Sequence, residues 1–437
     1  MTTTKKNPYA IYALVILSLL NLLNYVDRYI FAGLLPYLQT DTGYSDEQVG
    51  WVMSAFTIVY TVCSPLFGYL GDRFRRGRLI ALGISIWSLA TAASGLAPNY
   101  SSLLVARSAV GIGEANYATI APGLLSDFFI KARRGFVMSI FFTAIPLGSA
   151  IGFVAGGALA SPARLGWRHT LFLVGLPGLL TAVAAYFMRE PERGVMDEEE
   201  LTKSHYGLLE GYQLLLKNRG YIFASLGYAA VTFALGALVS WAPKWLNADK
   251  GLSVETATLL LGGFVVVGGI LGTMAGGAIG DWLTRRGVKA AYFWVCSASA
   301  LLAMPFLFVM IASQNKTVYL ASIFLGVTFV FLGNGPVNAV LVNLVPANLR
   351  TTALGFVVVI IHVLGDGISQ GLVGTISTWL SEAKGNLPGF VTTLGQIFNI
   401  DPATQTLSVA MLMMPIALIV GAIFYGIGAG TAEGKQT

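Results

Sequence analysis

Asn21-Leu-Leu-Asn-Tyr-Val-Asp27-Arg28-Tyr-Ile30 sets an acid beside a base inside an apolar run that extends from about Tyr9 to Pro36. A run of that length reads as a membrane-spanning helix. Each charge at the centre of such a helix costs ~2.5–3.5 kcal/mol on insertion scales, so Asp27 and Arg28 must face protein or water rather than lipid. Ser18, Asn21, Asn24 and Arg28 recur at steps of three and four, which makes one face of the helix polar.

The rest of the chain supplies the same environment. Its 437 residues are 55% hydrophobic and 11% charged, with 51 glycines. A soluble domain carries about 25% charged residues, so the composition describes a polytopic helical membrane protein. A β-barrel would alternate in segments of about ten residues. The formal charge of +6 belongs to membrane topology, because the basic residues sit in short loops between apolar runs. Cys63 and Cys296 fall inside apolar runs and the three histidines are scattered, so neither a disulfide nor a metal site is expected. The first run is too long and too charged for a cleavable signal peptide.

Twelve apolar runs, centred near residues 23, 60, 88, 114, 146, 178, 232, 266, 299, 329, 364 and 416, are each long enough to span. The reading is an all-α membrane protein of twelve transmembrane helices in two pseudo-symmetric six-helix bundles, 1–188 and 219–437, joined by a cytoplasmic linker, 189–218. The linker's acidic run, Asp197 to Glu200, reads as a solvated surface helix. With the N-terminus inside, 19 basic residues fall in inside segments and 6 outside, which favours cytoplasmic N- and C-termini. The halves echo each other. Gly68-x-x-x-Asp72-Arg73 precedes one basic cluster, and Gly277-x-x-x-Asp281 precedes another 209 residues later. Arg134-Gly-Phe136 is matched by Arg350 with Gly355-Phe356. Paired halves of this kind are the architecture of parallel-repeat transporters.

Leu22-Leu-Asn-Tyr-Val-Asp27-Arg28, Phe67-Gly-Tyr-Leu-Gly-Asp72-Arg73, Val110-Gly-Ile-Gly-Glu114-Ala-Asn-Tyr117 and Ala144-Ile-Pro-Leu-Gly-Ser149 together resemble the Spinster family of the major facilitator superfamily. The resemblance runs the length of the chain and is sharpest in the first half. It implies a lysophospholipid or sphingosine-phosphate-like substrate moved with protons. It also implies that the Asp72 and Asp281 loops form a cytoplasmic gate.

The site candidates follow from charge and face. Arg107, Gly111, Glu114 and Ala118 share one face of the fourth helix. Counting at 1.5 Å rise per residue from the helix ends puts Asp27 within ~6 Å of the depth of both Arg107 and Glu114. Four unpaired ionisable groups would cost ~10–14 kcal/mol, so a functional site is the default. Asp27 and Glu114 are the expected proton-coupling acids, each pairing with an arginine when ionised. Arg28 and Arg107 are the expected anion holders, whose planar forks suit a phosphate. Asn24 and Tyr117 complete the substrate set on these two helices. In the second half it is completed by Asn334, Asn338 and Trp241, part of an aromatic and amide-bearing surface suited to an apolar tail. His362 and Asp366, four apart, form a possible second proton site. Asp72, Arg73, Arg76, Asp281 and Arg285 are the gate candidates, placed to pair with helix ends and with one another.

The resulting expectation is a proton-coupled transporter of an amphipathic anionic lipid, working by alternating access as a monomer in the cell membrane (the inner membrane if bacterial). No enzymatic activity, cofactor, metal or nucleic acid is expected; protons, substrate and membrane lipids are the partners. A carrier of small organic anions and a non-transporting receptor are the alternatives.

Overall fold

Backbone amides in hydrocarbon have no water to bond, so an apolar stretch that crosses a membrane must satisfy them within itself as helix. The computed structural model describes residues 8–44, 46–197, 206–383 and 387–433, and these contain helices and connections with no strand. The first six long helices are α1 (Pro8–Thr42), α2 (Asp46–Arg73), α3 (Arg76–Leu96), α4 (Tyr100–Ser126), α5 (Lys131–Leu159) and α6 (Gly166–Tyr186). A short linker helix, α7 (Leu208–Lys217), precedes α8 (Arg219–Ala248), α9 (Val254–Arg285), α10 (Ala291–Ala312), α11 (Lys316–Asn343) and α12 (Ala347–Glu382). A second short helix, α13 (Gly389–Phe398), precedes α14 (Thr406–Thr431).

Among the described residues, eleven of these helices are both long and apolar enough to cross a membrane. Helix α4, the twelfth expected crossing, has 27 residues. It falls short on apolarity because it carries Arg107, Glu114 and Asn116. The helix that is poorest as a membrane span thus carries two of the buried charges, Arg107 and Glu114.

Three long helices break at the same place relative to a proline. In α5 the break is at Thr143 with Pro146 three residues on. In α11 it is at Gly333 before Pro336, and in α14 at Leu412 before Pro415. Proline has no N–H for the carbonyl four residues back, so the ladder opens just before it. Helix α12 breaks without proline: His362–Asp366 widens into a π-turn, and Gly365 there leaves helical geometry with φ −104° and ψ −111°.

The helices cluster as two compact units, one of residues 1–215 with 341–359 and one of residues 216–340 with 360–437. Within the first, α1 packs along α5, α4 along both α2 and α3, and α3 along α6. The second repeats the pattern six spans later, with α8 against the π-turn of α12, α11 against both α9 and α10, and α10 against α14. In the first unit, α4 lies close to its neighbours because Gly111 and Gly113 lack side chains. A Cβ at Gly111 would stand 2.6 Å from the Phe56 carbonyl, and one at Gly113 2.5 Å from that of Gly83. This proximity brings Arg107 and Glu114 alongside α2 and α3.

Candidate functional site

All four charges picked out on α1 and α4 lie in the first unit, and they take unequal roles. Arg28 donates from Nε and Nη2 to Oε2 of Glu114, at 2.9 and 2.7 Å. Its guanidinium sits about equally close to the rings of Tyr60, Tyr25 and Phe56, 4.9–5.1 Å from their centroids. Glu114 is fully buried, and Asn24 is also buried. Arg28 is therefore neutralised by a two-point, charge-assisted contact.

Asp27 differs from the expectation that each acid pairs with an arginine. It is 2% exposed, and its Oδ2 accepts a 2.8 Å hydrogen bond from the Thr91 hydroxyl of α3. Its Oδ1 is buried with no hydrogen-bond partner, and no ion pair to Asp27 occurs among the described residues. Thr91 escaped sequence reading because a single threonine in an apolar helix has no distinguishing pattern.

Arg107 is 3% exposed, and neither its Nε nor its Nη1 has a hydrogen-bond acceptor. Its guanidinium lies 4.2 Å from the ring centroid of Phe31 and 5.5 Å from that of Phe56. The charges of Asp27, Glu114 and Arg28 act on it across space. Phe31 and Phe56 present π-faces that attract the cation but accept no directional N–H bond. Tyr117, a candidate on the same helix, is fully buried in helix packing. Its hydroxyl donates to the Leu17 carbonyl and its ring meets Trp87 edge-on, so the hydroxyl is already committed.

In the second unit, the Tyr228 hydroxyl reaches Oδ1 of Asn334 at 3.5 Å, and the Asn338 amide donates to the Asn334 carbonyl. Trp241 Nε1 donates to the Gln370 carbonyl at 3.0 Å. His362 Nδ1 lies 2.9 and 3.1 Å from the two oxygens of Asp366 across the π-turn. Among the described residues no group of three or more His, Cys, Asp or Glu side chains could hold a metal ion.

The gate candidates divide as well. Asp72 is buried and accepts the backbone N–H groups of Thr351 and Thr352, at 3.1 and 2.7 Å. These open the helical part of α12 that starts at Arg350, so the carboxylate sits on the positive end of a helix dipole. Arg193 stands 3.7 Å from the same carboxylate. Arg76 is fully buried, pairing with Asp127 and with Glu190 at 2.7 Å each. Arg73 instead is exposed and stacked on Tyr69 at 4.8 Å, outside this network. Asp281 accepts from the Tyr292 hydroxyl at 2.8 Å, and Arg285 is exposed.

Sequence reading missed the larger part of this network. Arg350 pairs with both Asp127 and Asp197, and Arg134 pairs with Asp197 at 2.9 Å. Arg134 also reaches Asn343, Ser126 and Phe129. The available signal was the echo of Arg134 and Arg350 at equivalent junctions, which located the arginines but not their acids. Asp197 corrects the surface-helix reading of the acidic run: it lies in a bend with its side chain 8% exposed. Residues 198–200 of that run, and His205, lie outside the described residues. The linker helix adds Tyr212, whose hydroxyl donates to the Pro65 carbonyl at 2.9 Å and whose ring meets Phe356.

Burial raises the Asp197 carboxyl, but Arg350 and Arg134 outweigh it and hold its pKa below the ordinary value. A depressed carboxylate contributes its stability above the unfolded pKa and loses it as pH falls through the folded one. Acid titration of the detergent-solubilised protein should therefore lower the melting temperature below about pH 4, and Asp197→Asn should remove part of that acid dependence.

The fold and the site define a polytopic solute carrier of the major facilitator type. A Major Facilitator Superfamily model matches residues 17–369. Protein spinster homolog 1 of Xenopus tropicalis is 32% identical over 402 residues, covering 88% of this chain and 75% of that protein. The sphingosine-1-phosphate transporter SPNS2 of Danio rerio is 33% identical over 427 residues, covering 94% and 82%. In fold the chain is similar to a bacterial homologue of the human lysosomal transporter Spinster, with TM-score 0.63, 23% identity and 98% and 99% coverage. It is also similar to FucP in its outward conformation, with TM-score 0.73, 19% identity and 96% and 99% coverage. The chain belongs to the Spinster family of the major facilitator superfamily: it is a multi-pass membrane transporter and not an enzyme.

Proposed function

We propose that this protein is a proton-coupled secondary transporter of an amphipathic, anionic lipid of the lysophospholipid or sphingosine-phosphate type, working by alternating access. The observation that carries the reading is Arg107, a buried guanidinium with two N–H-bearing atoms left without acceptors while its neighbour Arg28 is committed to Glu114. A buried cation in that condition is costly unless an anion completes it. A phosphate supplies oxygen acceptors that the planar guanidinium fork of an arginine can bind. The rings of Phe31, Phe56 and Tyr60 around the two arginines favour a ligand whose anionic head is joined to an apolar body. The curated relative that carries sphingosine-1-phosphate in its name supports the same class.

Asp27 is the better candidate than Glu114 for the coupling proton. Each acid has one buried oxygen without a partner, but the other oxygen of Asp27 meets only a neutral hydroxyl, whereas Oε2 of Glu114 takes both N–H contacts of the Arg28 cation. Protonating Asp27 removes the negative charge that competes with an incoming anion for Arg107, so proton and anion binding reinforce each other. Asp27→Asn should flatten the pH dependence of transport while substrate still binds. Glu114→Gln should instead weaken folding by leaving Arg28 unpaired. An unchanged pH profile in Asp27→Asn proteoliposomes would remove Asp27 from the coupling step.

In this reading the Asp72 cap and the Arg76, Arg134 and Arg350 network form the cytoplasmic gate, and His362 with Asp366 is a second proton site. The termini are cytoplasmic, and the monomer is the working unit. Flux into liposomes under an imposed pH gradient tests the whole. Competition by long-chain but not short-chain phosphates supports a lipid substrate; the reverse points to small organic anions. No flux of either class would favour a receptor.

A further inference from the structure

Among the arginines near the ends of α2, α3, α5, α6 and α12, two sets stand apart. Arg76, Arg134, Arg193 and Arg350 are wholly or largely buried and paired with acids. Arg73, Arg75, Arg78 and Arg189 are exposed, and none is in an ion pair among the described residues. The acids in the same stretches do not balance them. Asp72 and Glu190 are already committed, which leaves Glu192 as the exposed acid.

Apolar side chains are exposed among these cations. Phe74 is 57% exposed, Tyr186 47% and Phe187 75%. Rings also lie against the guanidiniums: Arg78 over Tyr186 at 5.8 Å, Arg73 over Tyr69 at 4.8 Å and Arg189 over Tyr9 at 5.9 Å. The second unit repeats the composition at the equivalent loop. Arg285, Arg286 and Lys289 are exposed, Trp282 is 45% exposed, and Arg286 stacks on Trp282 at 4.0 Å. Asp281, the one acid there, is buried.

Orientation of the chain needs basic residues, and Trp and Tyr are common at either interface, but neither accounts for Phe74 and Phe187 exposed beside arginines that lack acids. Fixed cations interleaved with apolar side chains, at the ends of membrane helices, match the level of the bilayer where phosphates meet acyl chains. A soluble phosphate would use the cations and leave the apolar groups in water. We propose that these two regions, the α2–α3 loop with the segment after α6 and the α9–α10 loop, are docking surfaces for anionic phospholipids of the bilayer leaflet they face. The sites are separate from Arg107 and hold lipid as a resident component rather than as cargo. The proposal rests on membrane spanning and on the cytoplasmic placement of the loops, not on the transported substrate.

The probe is phosphatidylglycerol. The full-length protein would be purified in detergent with equal phosphatidylglycerol and phosphatidylcholine, and its retained lipids counted by native mass spectrometry. The wild type should retain phosphatidylglycerol preferentially. A triple variant, Arg75→Gln with Arg78→Gln and Arg189→Gln, should lower that preference about tenfold or more, since each basic side chain at an anionic bilayer surface is worth about a fivefold preference. The corresponding triple lysine variant should keep most of it, and Arg107→Ala should leave it unchanged. Wild-type retention in the glutamine variant, or equal loss in the lysine variant, would overturn the proposal. Loss in Arg107→Ala alone would show that the bound lipid is cargo and likewise overturn it. If the glutamine variant does not fold, the wild type serves: at about 0.5 M salt, where charges are screened beyond a few ångströms, selective loss of phosphatidylglycerol supports the proposal and undiminished preference contradicts it.

Discussion

Replacing Arg107 by alanine should abolish saturable transport and weaken substrate binding by about tenfold to a hundredfold, the scale of one lost charge-assisted hydrogen-bonding group. Replacing it by methionine should do the same to transport while raising the melting temperature. The opposite signs arise because Arg107 is a buried cation whose Nε and Nη1 have no acceptor. In the absence of an anion it carries a desolvation penalty that an apolar side chain of similar length escapes. A group retained at a cost to stability marks a site kept for ligand binding. Arg107→Lys should recover little, because an ammonium cannot reproduce a planar fork stacked on Phe31. Arg75→Ala is the control: Arg75 is exposed, and substrate affinity should not change. Measured together, binding and melting temperature decide the point. A methionine variant that melts lower than the wild type would show that Arg107 is satisfied within the protein and would end its role as the anion holder.

The second large effect is at Asp127, where loss of the carboxylate should cost about 3–5 kcal/mol, the range for breaking a buried ion pair by removing one partner. Asp127 is fully buried and meets two buried cations, Arg76 on one oxygen and Arg350 on the other. It also accepts the Gly194 N–H at 3.1 Å. Asp127→Asn keeps the shape and removes the charge, so both arginines lose their shared counter-ion. Glu190→Gln should cost less, because that side chain is 14% exposed and water can replace part of the contact. The order Asp127 before Glu190, read by thermal unfolding in detergent, is the expected result. Equal melting temperatures would mean that Asp127 is a bystander in the network. Because the network ties α3, α4 and the start of α12, the Asp127→Asn protein that survives should also show altered transport kinetics rather than altered substrate affinity.

How much of this was legible beforehand depended on whether a residue's chemistry conflicted with its immediate surroundings. Asp27, Arg28, Arg107 and Glu114 stood out because a charge inside an apolar helix conflicts with its own neighbours, whatever the tertiary structure does. Depth could be counted from helix ends, and Arg28 and Glu114 do meet, 86 residues apart. Asp72 and Asp281 stood out as a repeated pattern. Asp127 and Asp197 did not, because an acid near a helix end is ordinary by itself. Their meaning depends on Arg350, which is 223 and 153 residues distant. The π-turn of α12 was also hidden, since Gly365 is one of 51 glycines and no proline marks the place.

By itself, then, the order of residues determined that the chain crosses a membrane many times as helix, that it does so in two related halves, and that a few charges must be sheltered within it. Those properties are local: hydrocarbon penalises every unsatisfied amide and every bare charge wherever it occurs along the chain. Tertiary structure alone decided which charge neutralises which. It gave Glu114 to Arg28, gave Asp27 a hydroxyl in place of a cation, and left Arg107 with aromatic faces and unfilled N–H groups. A charge-assisted hydrogen bond needs its partners within about 3 Å, and separations of that size between distant segments exist only once the helices have packed.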